Sequence, residues 1–249
     1  MTYAIIGGTG FLDNPDFEIT DEVQVETPYG SPAAPLLYGK LFGEEAILLR
    51  RHGAKHEYAP HRVPYRANIA ALKLAQVQGI IAVATVGGID EQLAAGELAI
   101  PDQLIDYTWG REVTFYDDFR VSGVQHVDMT NPFDNGLRNA LRQSAKSLDV
   151  SLMWGGTYAC TQGPRLETAA EIRRFARDGA NMVGMTLYPE CALAREIALP
   201  YAALCVSVNH AAGVASSEKG IDFASLDAMI ASGISSAVKL VAGALKRLH

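Results

Sequence analysis

Tyr3-Ala-Ile-Ile-Gly-Gly-Thr-Gly10 is the stretch from which the fold class follows. An uncharged apolar run leads straight into three glycines and a threonine. This is the pattern of a buried strand ending in a turn whose backbone N–H groups can approach an anion with no Cβ in the way. A dinucleotide-binding fingerprint fails at its third glycine, because Asp13 stands at that spacing and the next stretch lacks a helical pattern. Taken alone, the segment reads equally well as a tight glycine turn after an edge strand.

Working outward, apolar runs bounded by Gly, Pro or polar turns predict further strands at Ala46–Leu49, Ile80–Thr85, Gln103–Tyr107, Asn181–Met185 and Ala202–Val208. Helical patterns lie at Ala67–Val77, Pro132–Leu148, Thr168–Asp178, Pro189–Ile197 and Ser225–Leu245. The alternation predicts an α/β fold, with a mixed central β-sheet flanked by helices and a single domain over residues 1–249. Extended pieces around Val23–Tyr38 look like hairpin material, so the strands are not expected to be all parallel. No repeat or low-complexity linker marks a boundary.

Composition narrows the class. With 49% apolar and 20% charged residues the chain is globular in type. No apolar run approaches the roughly 20 residues of a membrane span, and the N-terminus reads as a strand rather than a signal sequence, so a cytoplasmic protein without membrane contact is expected. Cys160, Cys191 and Cys205 are too few and too scattered for a disulfide framework or a zinc site. They read as buried thiols. A net charge of −7 argues against a broad nucleic-acid surface while leaving room for a local anion pocket.

Two more strand ends carry chemistry: Arg50-Arg-His-Gly53 and Thr85-Val-Gly-Gly88. In open α/β sheets ligands gather at the carboxyl ends of strands, and Gly, Thr, Arg and His there suit an anion. Singly, Arg51 would be a solvated surface charge and His52 a structural histidine. Two polar residues in apolar surroundings complete the candidate set: Glu167 in Thr161-Gln-Gly-Pro-Arg-Leu-Glu-Thr168, and Asn209 in Leu204-Cys-Val-Ser-Val-Asn-His210. A carboxylate accepts hydrogen bonds and an amide both donates and accepts, so the pair can read one planar polar ligand. Without further context, Glu167 would complement a helix dipole and Asn209 would occupy a turn.

Together with Gly184-Met-Thr-Leu-Tyr-Pro-Glu-Cys-Ala-Leu-Ala-Arg-Glu196, these segments resemble the trimeric purine nucleoside phosphorylase and methylthioadenosine phosphorylase family over nearly the whole chain. The resemblance implies a homotrimer that uses inorganic phosphate as co-substrate, with no metal or other cofactor, to cleave a purine nucleoside into free base and a ribose 1-phosphate. It implies that Thr9, Arg51, His52, Thr85, Val86 and Thr186 surround phosphate, Val86 through its backbone N–H. Met185 would lie beneath the ribose, and His126 would reach into a neighbouring subunit's site. Asn209 and His52 would be the catalytic residues.

The same resemblance separates substrates. The methylthioadenosine enzymes carry serine where Glu167 stands and aspartates where Asn209 and Ala211 stand, whereas the Glu/Asn pair matches enzymes acting on inosine and guanosine. A 6-oxopurine offers an N1–H donor to Glu167 and an O6 acceptor to the Asn209 amide, and adenine presents the opposite pattern. The related inosine-cleaving enzymes bind the 5′-hydroxyl with a histidine near the start of the last helix. This chain has no histidine between His210 and His249, and offers Ile221, Phe223 and Leu226 as an apolar wall. A 5′-methylthio nucleoside of a 6-oxopurine is therefore the expected substrate. The alternatives are inosine or guanosine, methylthioadenosine, and a nucleoside-binding protein without catalysis.

Overall fold

The computed structural model of the chain describes residues 2–8, 15–117, 123–221 and 227–249. Among them eleven strands form one mixed sheet. The strands are β1 (Tyr3–Gly7), β2 (Phe17–Val23), β3 (Leu36–Leu41), β4 (Glu44–Arg50), β5 (Ile80–Gly88), β6 (Leu98–Ile100), β7 (Gln103–Asp106), β8 (Met153–Trp154), β9 (Thr157–Cys160), β10 (Ala180–Gly184) and β11 (Tyr201–His210). The main path runs β2-β3-β4-β1-β5-β10-β9-β7, and β11 branches from β5 toward β6 and β8. Strands β2, β3 and β4 form an antiparallel edge, but the span Val23–Tyr38 expected as hairpin material holds only the end of β2 and the start of β3, with residues 24–35 outside the named strands.

The helices are α1 (Tyr65–Leu74), α2 (Asn135–Ser147), α3 (Ala169–Arg177), α4 (Leu187–Glu196) and α5 (Asp227–Leu248). Strand alternation sends successive side chains to opposite faces. Ile6 accordingly joins one core with Ile69 and Leu72 of α1 and Leu193 of α4. Ile5 joins the other with Leu137 and Leu141 of α2 and Val238, Val241 and Leu245 of α5. A third cluster packs Ile172 and Phe175 of α3 against Val183 and Ala211. Local signals begin two of these helices. Asp134 accepts from the Leu137 N–H at the start of α2, and Thr168 and Glu171 form a capping box at the start of α3.

β5 is the centre of this arrangement. β11 pairs with it in parallel from Ile80 to Gly88. Along its other edge β1 pairs only as far as Ala82, and antiparallel β10 joins only from Gly87. Residues 83–86 have no strand on that side among the described residues. The opening lies where neighbouring strands diverge, which is the kind of crevice where α/β sheets bind ligands.

The glycines that close β5 serve packing. A Cβ on Gly88 would collide with the Leu93 carbonyl. Because that obstacle is backbone, Gly88→Ala is expected to cost about 1–3 kcal/mol of stability, read as a lower Tm with unchanged oligomeric state.

Candidate active site

The sheet opening is spanned by Arg51, which follows the last residue of β4. Its backbone N–H donates to Gly7 O at 3.0 Å. Its side chain crosses the end of β1 over Gly8, where a Cβ would lie 3.3 Å from Nη1. Nη1 then donates to the Val83 carbonyl at 2.9 Å, supplying one of the hydrogen bonds that a strand would have made there. Nε and Nη2 donate to the two carboxylate oxygens of Glu190, on α4, at 2.8 and 2.9 Å. Tyr201 Oη donates to the same carboxylate at 2.7 Å.

Arg51 is 1% exposed and Glu190 0%, which overturns the reading of Arg51 as a solvated surface charge. Burial pushes the guanidinium pKa down, but the Glu190 carboxylate outweighs it and the net direction is upward, so the charge is held. Three of the five guanidinium N–H groups are committed. Arg51 lines the cleft with donors to spare.

His52 lies beside it. Its Nδ1 is 2.8 Å from the Tyr58 carbonyl, which can only accept, so Nδ1 carries the proton. Its ring stacks on His56 at 4.6 Å. Burial, and then the neighbouring Arg51 charge, lower its pKa to about 4. The ring is therefore neutral near pH 7, and Nε2 is an acceptor suited to the hydroxyl of hydrogen phosphate.

The cleft brings together Arg51, His52, Thr85, Val86, Glu167, Met185, Thr186, Asn209 and Ile221. Thr186 precedes α4 without capping it through its side chain, and its backbone N–H donates to Tyr158 Oη at 3.2 Å. The Gly184 carbonyl accepts from the Thr161 N–H at 2.8 Å. The trans peptide therefore turns the Met185 N–H the opposite way, toward β5 and the opening. Asn209 follows a register shift between Ser207 and Asn209 in the pairing of β11 with β5. Such a bulge re-aims a side chain. Nδ2 of Asn209 donates to the His210 carbonyl, which leaves the second amide hydrogen and Oδ1 for a ligand.

Glu167 is half-buried, and Thr161 Oγ1 donates to its Oε1 at 2.6 Å. The role at the helix N-terminus expected of Glu167 in isolation belongs to Glu171, which accepts from the Thr168 N–H at 2.7 Å and pairs with Arg165. Glu167 lines the cleft without that duty. His126 is exposed and does not line this cleft. Thr9, Phe223 and Leu226 lie outside the described residues.

Sequence reasoning missed Glu190, Tyr201 and Thr161. For Glu190 a signal was present: one acid in the apolar run Leu187–Ala194, where a buried charge requires a partner.

The profile of the phosphorylase superfamily matches residues 2–246. A probable S-methyl-5′-thioinosine phosphorylase of Xylella fastidiosa is 49% identical over 213 residues, covering 86% of each chain. A probable 6-oxopurine nucleoside phosphorylase of Dictyoglomus turgidum is 45% identical over 216 residues, covering 86% of this chain and 80% of that one. Among solved structures, methylthioadenosine phosphorylase from Schistosoma mansoni in complex with adenine superimposes with a TM-score of 0.92 at 29% identity, covering 100% of this chain and 91% of that chain. The chain belongs to the phosphorylase superfamily and has the nucleoside phosphorylase fold.

Two outcomes are expected. Glu190→Gln leaves the Arg51 charge buried without its counter-ion, at a cost of about 3–5 kcal/mol. Denaturant melts should show that loss, and the KM for phosphate should rise by about tenfold or more. His52 takes up a proton near pH 6.5 when unfolded but only near pH 4 when folded. Its contribution to stability is therefore complete above pH 6.5 and is lost as pH falls toward 4. In phosphate-free buffer, His52→Gln should flatten the fall in Tm across that interval.

Proposed function

We propose that this chain is a phosphorylase of 6-oxopurine 5′-methylthionucleosides, cleaving S-methyl-5′-thioinosine with inorganic phosphate to hypoxanthine and 5-methylthioribose 1-phosphate. The observation that carries the reading is the Thr161–Glu167 hydrogen bond at 2.6 Å, which orients a carboxylate into the cleft shared with Asn209. Oε1 is engaged by Thr161, and Oε2 is left to accept from N1–H. Asn209 donates to O6 and accepts from a protonated N7. Adenine would set its N1 lone pair against the carboxylate, a mismatch of buried polar groups that discriminates by about 10⁴-fold. The names of the Xylella and Dictyoglomus relatives support the same base class.

The reaction is substitution at the anomeric carbon. The bond to the purine lengthens, positive charge spreads over the sugar ring, and a phosphate oxygen forms the new bond on the opposite face. The electron pair of the broken bond passes to the purine, which takes a proton from water at N7, and Asn209 Oδ1 accepts the hydrogen bond of that N7–H. Phosphate is itself the nucleophile, so the residues around it have to position it and hold its charge. Arg51, His52, Thr85, Thr186 and the Val86 N–H serve that role, together with Thr9. The Met185 N–H faces the ribose, and Ile221 begins the apolar wall at the 5′ position, continued by Phe223 and Leu226. No metal or organic cofactor enters this scheme. A homotrimer in which His126 completes the neighbouring 5′ site, and a cytoplasmic role in purine salvage, belong to the same proposal.

Phosphate-dependent base release from methylthioinosine, inosine and methylthioadenosine, compared side by side, tests it. Preference for methylthioinosine is expected. Preference for inosine would retain the base code and remove the 5′ wall, and preference for methylthioadenosine would overturn the code. Combining Glu167→Ser, Asn209→Asp and Ala211→Asp is expected to shift the kcat/KM ratio toward 6-aminopurines. An unchanged ratio in the folded variant contradicts the recognition scheme.

A further inference from the structure

Beyond the cleft wall lies a cation that the reaction scheme does not use. Arg111 sits in the loop after β7 and is partly buried. Its Nη1 donates to the carbonyls of Met185 at 2.9 Å and Tyr188 at 2.6 Å. Its Nη2 donates to those of Thr161 at 2.9 Å and Gln162 at 3.0 Å. Nε reaches Gln162 Oε1 at 3.2 Å, and the guanidinium lies 5.6 Å from the centre of the Tyr65 ring. Among the described residues no carboxylate is within ion-pairing distance of it. This charge is solvated by main-chain oxygens instead.

The identity of those oxygens gives the group its purpose. β9 and β10 run parallel and end their register at Cys160 and Gly184. Beyond that pair the strands separate, and carbonyls that a ladder would have satisfied need other donors. Arg111 supplies them on both sides of the separation. One side carries Thr161, whose hydroxyl holds Glu167. The other carries Met185 and Thr186, which line the cleft. The distance between the base-reading and sugar-reading walls is therefore set through one planar fork of donors. A lysine, with three donors on a single nitrogen, cannot span it.

We infer that Arg111 is a positioning residue for nucleoside recognition, fixing Glu167 through Thr161 and Met185 through its carbonyl. The inference rests on the reading of Glu167 and Met185 as nucleoside contacts. It bears more on the nucleoside than on phosphate, because the phosphate side of the cleft is held chiefly by Arg51, just after β4, and Glu190 on α4, neither of which Arg111 touches.

The test is steady-state kinetics of Arg111→Met and Arg111→Lys with whichever nucleoside the unaltered protein cleaves fastest, varying nucleoside and phosphate separately. Nucleoside KM is expected to rise by about tenfold or more with a lower kcat, while phosphate KM changes by less than about twofold. A lower Tm with both KM values unchanged would make Arg111 merely structural and overturn the inference. An equal rise in both KM values would also overturn it. If Arg111→Met does not fold, the same split in Arg111→Lys decides. The choice of fastest substrate keeps this result independent of which nucleoside the protein prefers.

Discussion

The buried pair of Arg51 and Glu190 is the interaction on which the rest of the site depends. A guanidinium taken wholly out of water is tolerated only with a counter-charge and good hydrogen-bond geometry. Glu190 supplies both through two parallel bonds, and Tyr201 adds a third bond to the same carboxylate. In return Arg51 ties the ends of β1 and β4 and the middle of β5 to α4 across a break in the sheet. Replaced by apolar residues, such a pair could leave the fold as stable or more so. Its retention here follows from what lies in the break: a fixed positive charge facing a cleft, which a hydrocarbon plug could not provide.

The cleft divides its tasks among strand ends. In the proposed scheme the termini of β4 and β5 present donors for an anion. The segment after β10 contributes Met185 and Thr186, and the segment after β9 and the end of β11 bring Glu167 and Asn209 to the same cleft. Each group is held by a neighbour outside the cleft: Arg51 by Glu190, His52 by Tyr58, Glu167 by Thr161. Such second contacts remove rotamer freedom before a substrate arrives, which is where preorganised electrostatic sites gain their effect. The low pKa of His52 belongs to the same design, since a neutral ring beside Arg51 adds no repulsion while leaving an acceptor for a protonated phosphate oxygen.

Much of the fold was legible in the sequence because its long strands are apolar runs. Tyr3–Ile6 is β1 less its last glycine, and Ile80–Thr85 is the first two thirds of β5. Missed were most of β2, whose residues are largely exposed and carry no apolar run, and β6, β8 and β9, of three, two and four residues, which are too short for a periodic signal and are defined by distant partners. Within the site, glycine turns and the polar residues Glu167 and Asn209 stood out against apolar surroundings. Thr161 did not, because a threonine at a strand end is unremarkable until its carboxylate partner is seen. Glu190 is 139 positions from Arg51, and no local pattern couples them. Arg111 was harder still: its partners are main-chain carbonyls, which residue types cannot reveal.

The central claim is that one cleft at the break in the sheet binds phosphate at the Arg51 end and a 6-oxopurine at the Glu167 end. A crystal structure of the protein with hypoxanthine and inorganic phosphate tests it most directly. The expected result is hypoxanthine N1 at about 2.9 Å from a Glu167 oxygen, N7 turned to Asn209, and phosphate between Arg51, His52 and Thr186. A base that leaves Glu167 unpaired, or phosphate bound away from the break beside residues 83–86, would contradict the account.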